Sequence, residues 1–159
     1  MKIDFKKLII SVVVCQLAGV VGSVFTFSSI SNWYVYLNKP SFNPPNWIFG
    51  PVWTVLFLLM GISLYIIWNN KAILQKNKKR EAINIFVFQL FLNVLWTLLF
   101  FGLKSPALAF FEITVLWMTI FITIFKFKKF SSLAAWLLIP YLLWVSFASV
   151  LNFALWALN

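Results

Sequence analysis

The sequence predicts an all-α polytopic membrane protein, a single domain over residues 1–159 built as a bundle of five transmembrane helices. Of its residues, 63% are hydrophobic and only 10% are charged, and the mean hydropathy is +0.96. A water-soluble fold of this composition would expose too much apolar surface. Five apolar runs each have about the 20 residues that a helix needs to cross the hydrocarbon core. They cover approximately residues 8–27, 47–68, 82–102, 106–125 and 133–155.

The first predicted span carries small side chains along one helical face: Ser11, Cys15, Ala18, Gly19, Gly22, Ser23 and Thr26. Small residues let helix backbones approach closely in lipid, so this face is expected to pack against another helix. The part from Gly22 to Thr26 also suits the thin wall of a cavity. Because the apolar run is longer than that of a usual signal peptide and no A-x-A-like cleavage site closes it, we interpret it as a retained helix.

Four prolines and two tryptophans mark the 15 residues that lead into the second span, which read KPSFNPPNWIFGPVW from Lys39 to Trp53. Proline fixes φ and removes a backbone donor, so this density predicts a stiff, extended loop. Asn43 and the two prolines after it are expected to cap the second helix and begin its first turn. We therefore predict that residues 28–46 form a lid over the mouth of the bundle.

Pro51 lies inside the second predicted span and leaves one backbone carbonyl of that helix without its usual donor. Irregular backbone inside a membrane is tolerated where it is buried in protein or lines a cavity. Trp53 lies beside this loosened turn, so we expect its ring to face a ligand rather than lipid.

Two later spans carry aromatic and polar side chains along one helical face. In the third span, intervals of four, three and four residues separate Gln89, Asn93, Trp96 and Phe100. These amides and rings suit a pocket for a flat guest, and they equally suit hydrogen bonds that join helices, so both interpretations stay open. In the fifth span the pattern recurs at Trp136, Pro140, Trp144 and Ala148, with Leu151 on the same side.

Glu112 is the only acidic residue within the predicted spans. Thr119 follows on the same helical face, so a proton path is one interpretation of the pair. The other is a polar contact that joins two helices, which we favour because intramembrane polar groups often have that role.

The basic residues predict the orientation of the bundle. Eleven of the 13 precede the first span or lie between the second and third or the fourth and fifth spans, and only Lys39 and Lys104 fall on the other side. Lys and Arg accumulate in short cytoplasmic loops. We therefore expect a multi-pass protein of the plasma membrane with a cytoplasmic N-terminus, and with the C-terminus and the loop 28–46 outside.

The residue inventory excludes several function classes. The chain has no histidine and a single cysteine, Cys15, so histidine acid–base chemistry, a Cys/His zinc site and a disulfide are excluded, and we predict neither a metal nor a cofactor. A net charge of +10 would suggest nucleic-acid binding in a soluble protein. Here the charge lies in loops beside the membrane, which favours contact with lipid head groups and no nucleic-acid partner.

An ordered series of motifs runs through the chain: GSVF at Gly22–Phe25, WY at Trp33–Tyr34, KPSF-x-PP-x-W and GPVW within 39–53, QL-x-LN-x-x-W and FFG within 89–102, SLAAWLLIPYLLW at Ser132–Trp144, and LN at Leu151–Asn152. By these motifs the chain resembles the TspO/MBR family, whose members are also called tryptophan-rich sensory proteins, translocator proteins and peripheral-type benzodiazepine receptors. The resemblance covers nearly the whole chain.

The resemblance implies a five-helix membrane protein, often a homodimer. Its outward half is expected to enclose a pocket for porphyrins such as protoporphyrin IX and for benzodiazepine- or isoquinoline-type ligands, closed by the long first loop. Carried onto matching positions, the ligand-binding residues are Gly22, Ser23, Thr26, Phe49, Gly50, Trp53, Asn93, Trp96, Trp144, Ala148 and Leu151.

Bacterial relatives are linked to light-dependent porphyrin breakdown that involves two pocket tryptophans, which by position are Trp53 and Trp144. An indole is oxidisable and could donate an electron to a photoexcited ring. Catalysis by this pair is a hypothesis, because the chain has no conventional catalytic constellation.

Two departures from the family pattern bear on the ligand. The C-terminal sterol motif of animal members joins an apolar residue, a tyrosine and an arginine, whereas residues 151–157 here read LNFALWA and lack the last two. Cholesterol binding is therefore not expected. Asn43 and Asn46 stand where relatives can have histidines, which removes a ligand for haem iron and favours a metal-free porphyrin.

The sequence thus indicates a membrane protein that senses, sequesters, transports or promotes the breakdown of a tetrapyrrole. The alternative is a small proton-coupled or dimeric transporter of hydrophobic molecules. The short chain, the single intramembrane acid and the lack of detectable internal repeats count against coupled transport.

Overall fold

The computed structural model of the chain describes residues 3–71 and 75–159. In chain order the main helices are α1 (Phe5–Asn32), α2 (Asn46–Trp68), α3 (Lys76–Thr97), α4 (Pro106–Lys128), α5 (Ser132–Trp136) and α6 (Ile139–Leu158). Five helical segments within the described ranges are long and apolar enough to cross a membrane, with α5 and α6 together forming the fifth. The predicted all-α, five-span fold is confirmed.

The first helix is longer than predicted, and this shortens the lid. Helix α1 runs five residues past the expected end at Phe27, so residues 28–32 belong to α1. The lid beyond it begins at Trp33 and includes a short 3-10 helix, Tyr34–Tyr36. The reason for the longer helix is a buried polar contact in its last turn: Ser29 Oγ donates a hydrogen bond to the Phe101 carbonyl at 2.7 Å. This bond holds the end of α1 against the end of the third span.

The start of α2 also differs from the prediction. The helix begins at Asn46, directly after Pro45, and no side chain caps it. Instead of capping α2, Asn43 accepts a hydrogen bond from the hydroxyl of Tyr34 at 2.7 Å, within the lid itself. Asn43 therefore stabilises the loop internally and does not cap α2.

The fifth span is broken rather than continuous. Helix α5 ends at Trp136 and α6 begins at Ile139, because Pro140 has no N–H to donate to the carbonyl of Trp136. Trp136 is 70% exposed on the outside of the bundle. The prediction that it continues the pocket-facing pattern of Trp144 is therefore wrong.

The small side chains of α1 allow a close contact with α2. A Cβ atom added at Gly61 would lie 2.6 Å from the Cα of Val12, so the two backbones approach as closely as glycine permits. Ser11 and Cys15 are buried on the same face of α1. This confirms the expected close packing for the half of that face nearer the N-terminus of α1, whereas its other half borders a cavity.

The three basic segments lie at one end of the bundle, as predicted. Lys126 Nζ pairs with Glu81 Oε1 at 2.7 Å, and Asn70 Nδ2 donates to the Phe130 carbonyl at 3.1 Å. At the same end the backbone N–H of Asp4 donates to the Tyr65 hydroxyl. Lys2, which belongs to the first of these segments by sequence, lies outside the described residues. The lid and the end of α6 share the opposite end.

Candidate functional site

A cavity of about 500 Å³ lies at the lid end of the bundle, between α1, α2, the third span and α6. All eleven residues predicted for ligand binding border it: Gly22, Ser23, Thr26, Phe49, Gly50, Trp53, Asn93, Trp96, Trp144, Ala148 and Leu151. The structure therefore brings together side chains that the sequence places on four different helices. Their role in binding stays a prediction.

Tryptophan rings with aromatic partners form two of the cavity walls. Trp53 stacks on Phe57 with ring centroids 5.5 Å apart and meets the edge of Tyr141 at 6.2 Å. On the third span, Trp96 stacks on Phe100 at 5.1 Å with an interplanar angle of 21°. Such rings offer flat, polarisable faces that suit a planar apolar guest.

Two hydrogen-bond links fix these walls. Asn93 Nδ2 donates to the hydroxyl of Tyr141 at 3.0 Å, which joins the third span to α6. Trp96 Nε1 donates to Asn152 Oδ1 at 3.0 Å, and Asn152 Nδ2 in turn donates to the Pro106 carbonyl at 2.7 Å. The Asn93 amide was expected to hydrogen-bond a guest, but its nitrogen donates to Tyr141 within the bundle. Of the two roles that the sequence left open for the third-span face, the hydrogen bonds that join helices are present, and the role in binding a guest stays a prediction.

Gln89 does not belong to the site. Its side chain is 1% exposed, it does not border the cavity, and its amide atoms have no hydrogen-bond partner within the described ranges. The expectation of an amide pair facing one guest is wrong for this residue. Gln89 lies about one helical turn before Asn93 on α3, beyond the end of the cavity that is farther from the lid.

Trp144 has an unusual environment. Its ring meets Phe49 edge to face at 5.9 Å, and its buried Nε1 has no acceptor among the residues that the structure describes. An indole N–H in such surroundings normally finds a partner. The N–H is therefore a buried donor that the described residues leave unsatisfied.

Glycines set the shape of the cavity at two points. A Cβ atom at Gly22 would come within 3.1 Å of Thr97 Oγ1, whereas a Cβ atom at Gly50 would meet nothing within 4 Å. Gly22 is thus needed for packing of α1 on the third span. Gly50 instead keeps the side of α2 clear where it borders the open space.

The lid is internally cross-linked above the cavity. The ring of Tyr34 is buried and borders the cavity, and the ammonium group of Lys39 lies 4.9 Å from its centre. Burial raises the pKa of the Tyr34 hydroxyl, which keeps it a neutral donor to Asn43. Lys39 Nζ also donates to the carbonyls of Val35 and Leu37. The stiffness expected from prolines alone therefore also rests on these side chains.

Sequence reasoning missed several residues that border the cavity. Tyr34 and Asn152 were noticed only as parts of family motifs, and both prove to be buried at the site. The adjacent π-helical turn Leu98–Gly102 brings Phe100 and Phe101 towards the same space. Asn152 carried a usable signal, because an amide in an apolar span needs partners. Phe100 was already on the predicted face of the third span, but no sequence signal pointed to the π-helical turn that adds Phe101 to the site.

Glu112 lies away from this cavity. Its carboxyl oxygens are buried and accept no hydrogen bond from the described part of the chain. The favoured interpretation, a polar contact that joins two helices, is therefore not supported by a bonded partner. The proton-path interpretation has no support from contacts either, since Thr119 Oγ1 donates within its own helix to Val115.

The comparisons with known proteins agree with this architecture. The sequence pattern of the TspO/MBR family matches residues 11–157. Tryptophan-rich protein TspO of Archaeoglobus fulgidus is 44% identical over 153 residues, which cover 96% of this chain and 97% of that protein. The tryptophan-rich sensory protein of Cereibacter sphaeroides is 36% identical over 80% of this chain and 77% of its own length. For the human translocator protein the identity is 34%, over 87% and 82% respectively.

These matches span almost the whole of the described bundle, including all four helices that border the cavity. The relatives support a sensory or transport role at a membrane, and five membrane-spanning helices fit a multi-pass membrane protein. The chain belongs to the TspO/MBR family.

Proposed function

We propose that this protein binds a metal-free porphyrin such as protoporphyrin IX in the cavity beneath the lid, and thereby senses, sequesters or helps to dispose of tetrapyrroles. The observation that carries the proposal is the wall of three indole rings, Trp53, Trp96 and Trp144, around one apolar cavity. The same cavity is expected to accept benzodiazepine- or isoquinoline-type ligands.

The size and chemistry of the cavity support this proposal. Its volume of about 500 Å³ falls in the range of 300–1,000 Å³ typical of small-molecule sites. Ten of the 27 residues that border it are aromatic, and polar side chains such as those of Ser23 and Asn46 lie among them. A large, flat, mainly apolar molecule with a few oxygen acceptors matches these features.

The names of the relatives add a second line of support. They include a tryptophan-rich sensory protein and translocator proteins. The first name describes the detection of a molecule, and the second describes its movement. Both activities require a reversible ligand site. At about 500 Å³ the cavity is larger than a second hollow of about 250 Å³ on the outside of the bundle, so it is where we place that site.

Titration of the purified protein with protoporphyrin IX, followed by quenching of tryptophan fluorescence, tests the proposal. We expect saturable quenching with one site per chain, and weaker binding after Trp96→Leu, which removes one stacking face worth about 1 kcal/mol. Trp68→Leu is the matched control, because Trp68 lies at the far end of α2 and does not border the cavity. Non-saturable quenching, or equal loss in both variants, would contradict the proposal.

A further inference from the structure

A second hollow lies on the outside of the bundle, at the end opposite the lid. It is a groove of about 250 Å³ between α4, α5 and the start of α6, which we call the α4–α5 groove. Seven of its nine lining residues are apolar, and the two polar ones are Lys128 and Ser132. Phe125 and Trp136 on its rims are 54% and 70% exposed, so the groove opens to the surroundings of the bundle and not to its core.

The groove lies at the break in the fifth span. Helix α5 ends at Trp136 and α6 begins at Ile139, and residues of both line the groove beside the last two turns of α4. A buried hydrogen bond holds α5 in place: Ser63 Oγ on α2 donates to the Ala134 carbonyl at 2.7 Å. The groove is therefore part of the scaffold and needs no ligand to form.

The position of Lys128 places its charge at the surface of a bilayer. Helix α4 has 23 residues and is about 34 Å long, close to the roughly 30 Å of the hydrocarbon core. Lys128 is its last residue, so the ammonium group reaches the level of the head groups. From there the groove runs along α4 to Phe121, a distance of about 10 Å, into the region of the acyl chains.

Lys128 has no ion-pair or hydrogen-bond partner among the residues that the structure describes. The ion pairs within residues 3–71 and 75–159 are Lys7–Asp4 and Lys126–Glu81, and neither involves Lys128. A lysine at a helix C-terminus is favourable on its own account, because it opposes the helix dipole and can extend towards water. That simple explanation accounts for the charge at this position but not for the apolar groove beside it.

We propose that the α4–α5 groove binds one anionic phospholipid, with the phosphate group at Lys128 and part of an acyl chain along Phe121 and Phe125. Basic pockets between membrane helices are suited to acidic lipid head groups, and a lysine ammonium is a point-charge partner for phosphate. A zwitterionic lipid fits less well, because its own cation would lie beside Lys128. A soluble phosphate would leave the apolar part of the groove unused.

The test compares two adjacent lysines by native mass spectrometry of the protein in detergent. Phosphatidylglycerol is titrated against phosphatidylcholine with the same acyl chains, and glycerol phosphate serves as the soluble competitor. We expect one phosphatidylglycerol per chain to bind preferentially, with an affinity about fivefold lower in Lys128→Gln. Lys129→Gln removes an identical exposed charge that does not border the groove, and the affinity is expected to change less than twofold.

A second pair of variants tests the apolar part. Ile139→Trp fills the groove and is expected to reduce phosphatidylglycerol binding, whereas Leu143→Trp, on a 64% exposed position outside the groove, leaves it unchanged. Equal losses in Lys128→Gln and Lys129→Gln would show only diffuse attraction to a basic surface and would overturn the proposal. Equal binding of phosphatidylcholine, or displacement by glycerol phosphate, would overturn it as well. Because the exposed Lys128 carries no packing role, its variant tests binding without disturbing the fold.

Discussion

Asn38 in the lid and Asn159 at the end of α6 exchange two hydrogen bonds. The backbone N–H of Asn38 donates to Oδ1 of Asn159 at 2.9 Å, and Nδ2 of Asn159 donates to the Asn38 carbonyl at 3.0 Å. The two residues are 121 positions apart in sequence, so this pair ties the lid to the last turn of the chain. These two bonds restrain the loop that covers the cavity.

Replacing Asn159 with alanine is expected to loosen the lid. Because two exposed hydrogen bonds of about 0.5–1 kcal/mol each are lost, porphyrin should both enter and leave several times faster, while the dissociation constant changes little. Stopped-flow fluorescence measures both rates. Asn32→Ala is the control, since Asn32 is exposed near the same end and makes no side-chain hydrogen bond in the described structure. Unchanged rates in Asn159→Ala would show that the lid does not limit access.

Trp53 and Trp144 are expected to be required for any light-dependent loss of bound porphyrin. If an indole donates an electron to the excited ring and dioxygen in the assay takes up that electron as the oxidant, Trp53→Phe or Trp144→Phe should slow the loss of the Soret band by roughly tenfold. This corresponds to about 1.4 kcal/mol in activation free energy, with affinity largely retained. Trp117→Phe is the matched control, because Trp117 does not border the cavity and its Nε1 donates to Ser146. Equal rates in all variants would exclude the tryptophan mechanism.

Glu112→Gln separates binding from proton-coupled transport. The carboxyl group does not border the cavity, so the affinity for protoporphyrin IX is expected to stay within about twofold of the wild type. In reconstituted vesicles, a proton-coupled transporter would lose gradient-driven uptake in this variant. Loss of uptake with intact binding would favour the transporter, whereas a large loss of affinity would place Glu112 in the ligand site, contrary to the geometry.

Asn152→Leu is expected to destabilise the bundle. The substitution leaves the indole N–H of Trp96 without its acceptor and removes the bond from α6 to the Pro106 carbonyl, which should lower the free energy of unfolding by about 2 kcal/mol. Ser149→Ala on the same helix removes only a bond to the Val145 carbonyl one turn away and should cost about 0.5 kcal/mol or less. Equilibrium unfolding in mixed micelles measures both. Equal stabilities would mean that this link does not hold α6 to the third span.

The sequence was sufficient to predict the fold and to select the side chains at the cavity, because few residue types are unexpected within an apolar span. Apolar runs of about 20 residues predict spans, and polar or indole side chains deep within them need a reason to be there. Trp53, Asn93 and Trp144 stood out in this way, and the structure brings them to one cavity.

The details that failed depend on contacts between distant segments. The extra turn of α1 rests on the bond from Ser29 to Phe101, and the role of Asn43 depends on Tyr34. Periodicity alone assumed an unbroken fifth helix, although Pro140 marks the place where α5 and α6 separate. The Ser29–Phe101 bond joins residues 72 positions apart and leaves no local signal, whereas Pro140 was a local signal for the break that periodicity did not take into account.

The most direct test of the account is a titration of protoporphyrin IX with two variants of Gly50. A side chain there would project into the open space beside α2, where a Cβ atom meets no neighbour within 4 Å. Gly50→Ala is expected to bind like the wild type and to be about 0.5–1 kcal/mol more stable, since alanine favours a helix over glycine. Gly50→Phe should fold equally well but lose porphyrin binding, because its ring fills the cavity. Wild-type affinity in Gly50→Phe would contradict the claim that the guest lies in this cavity.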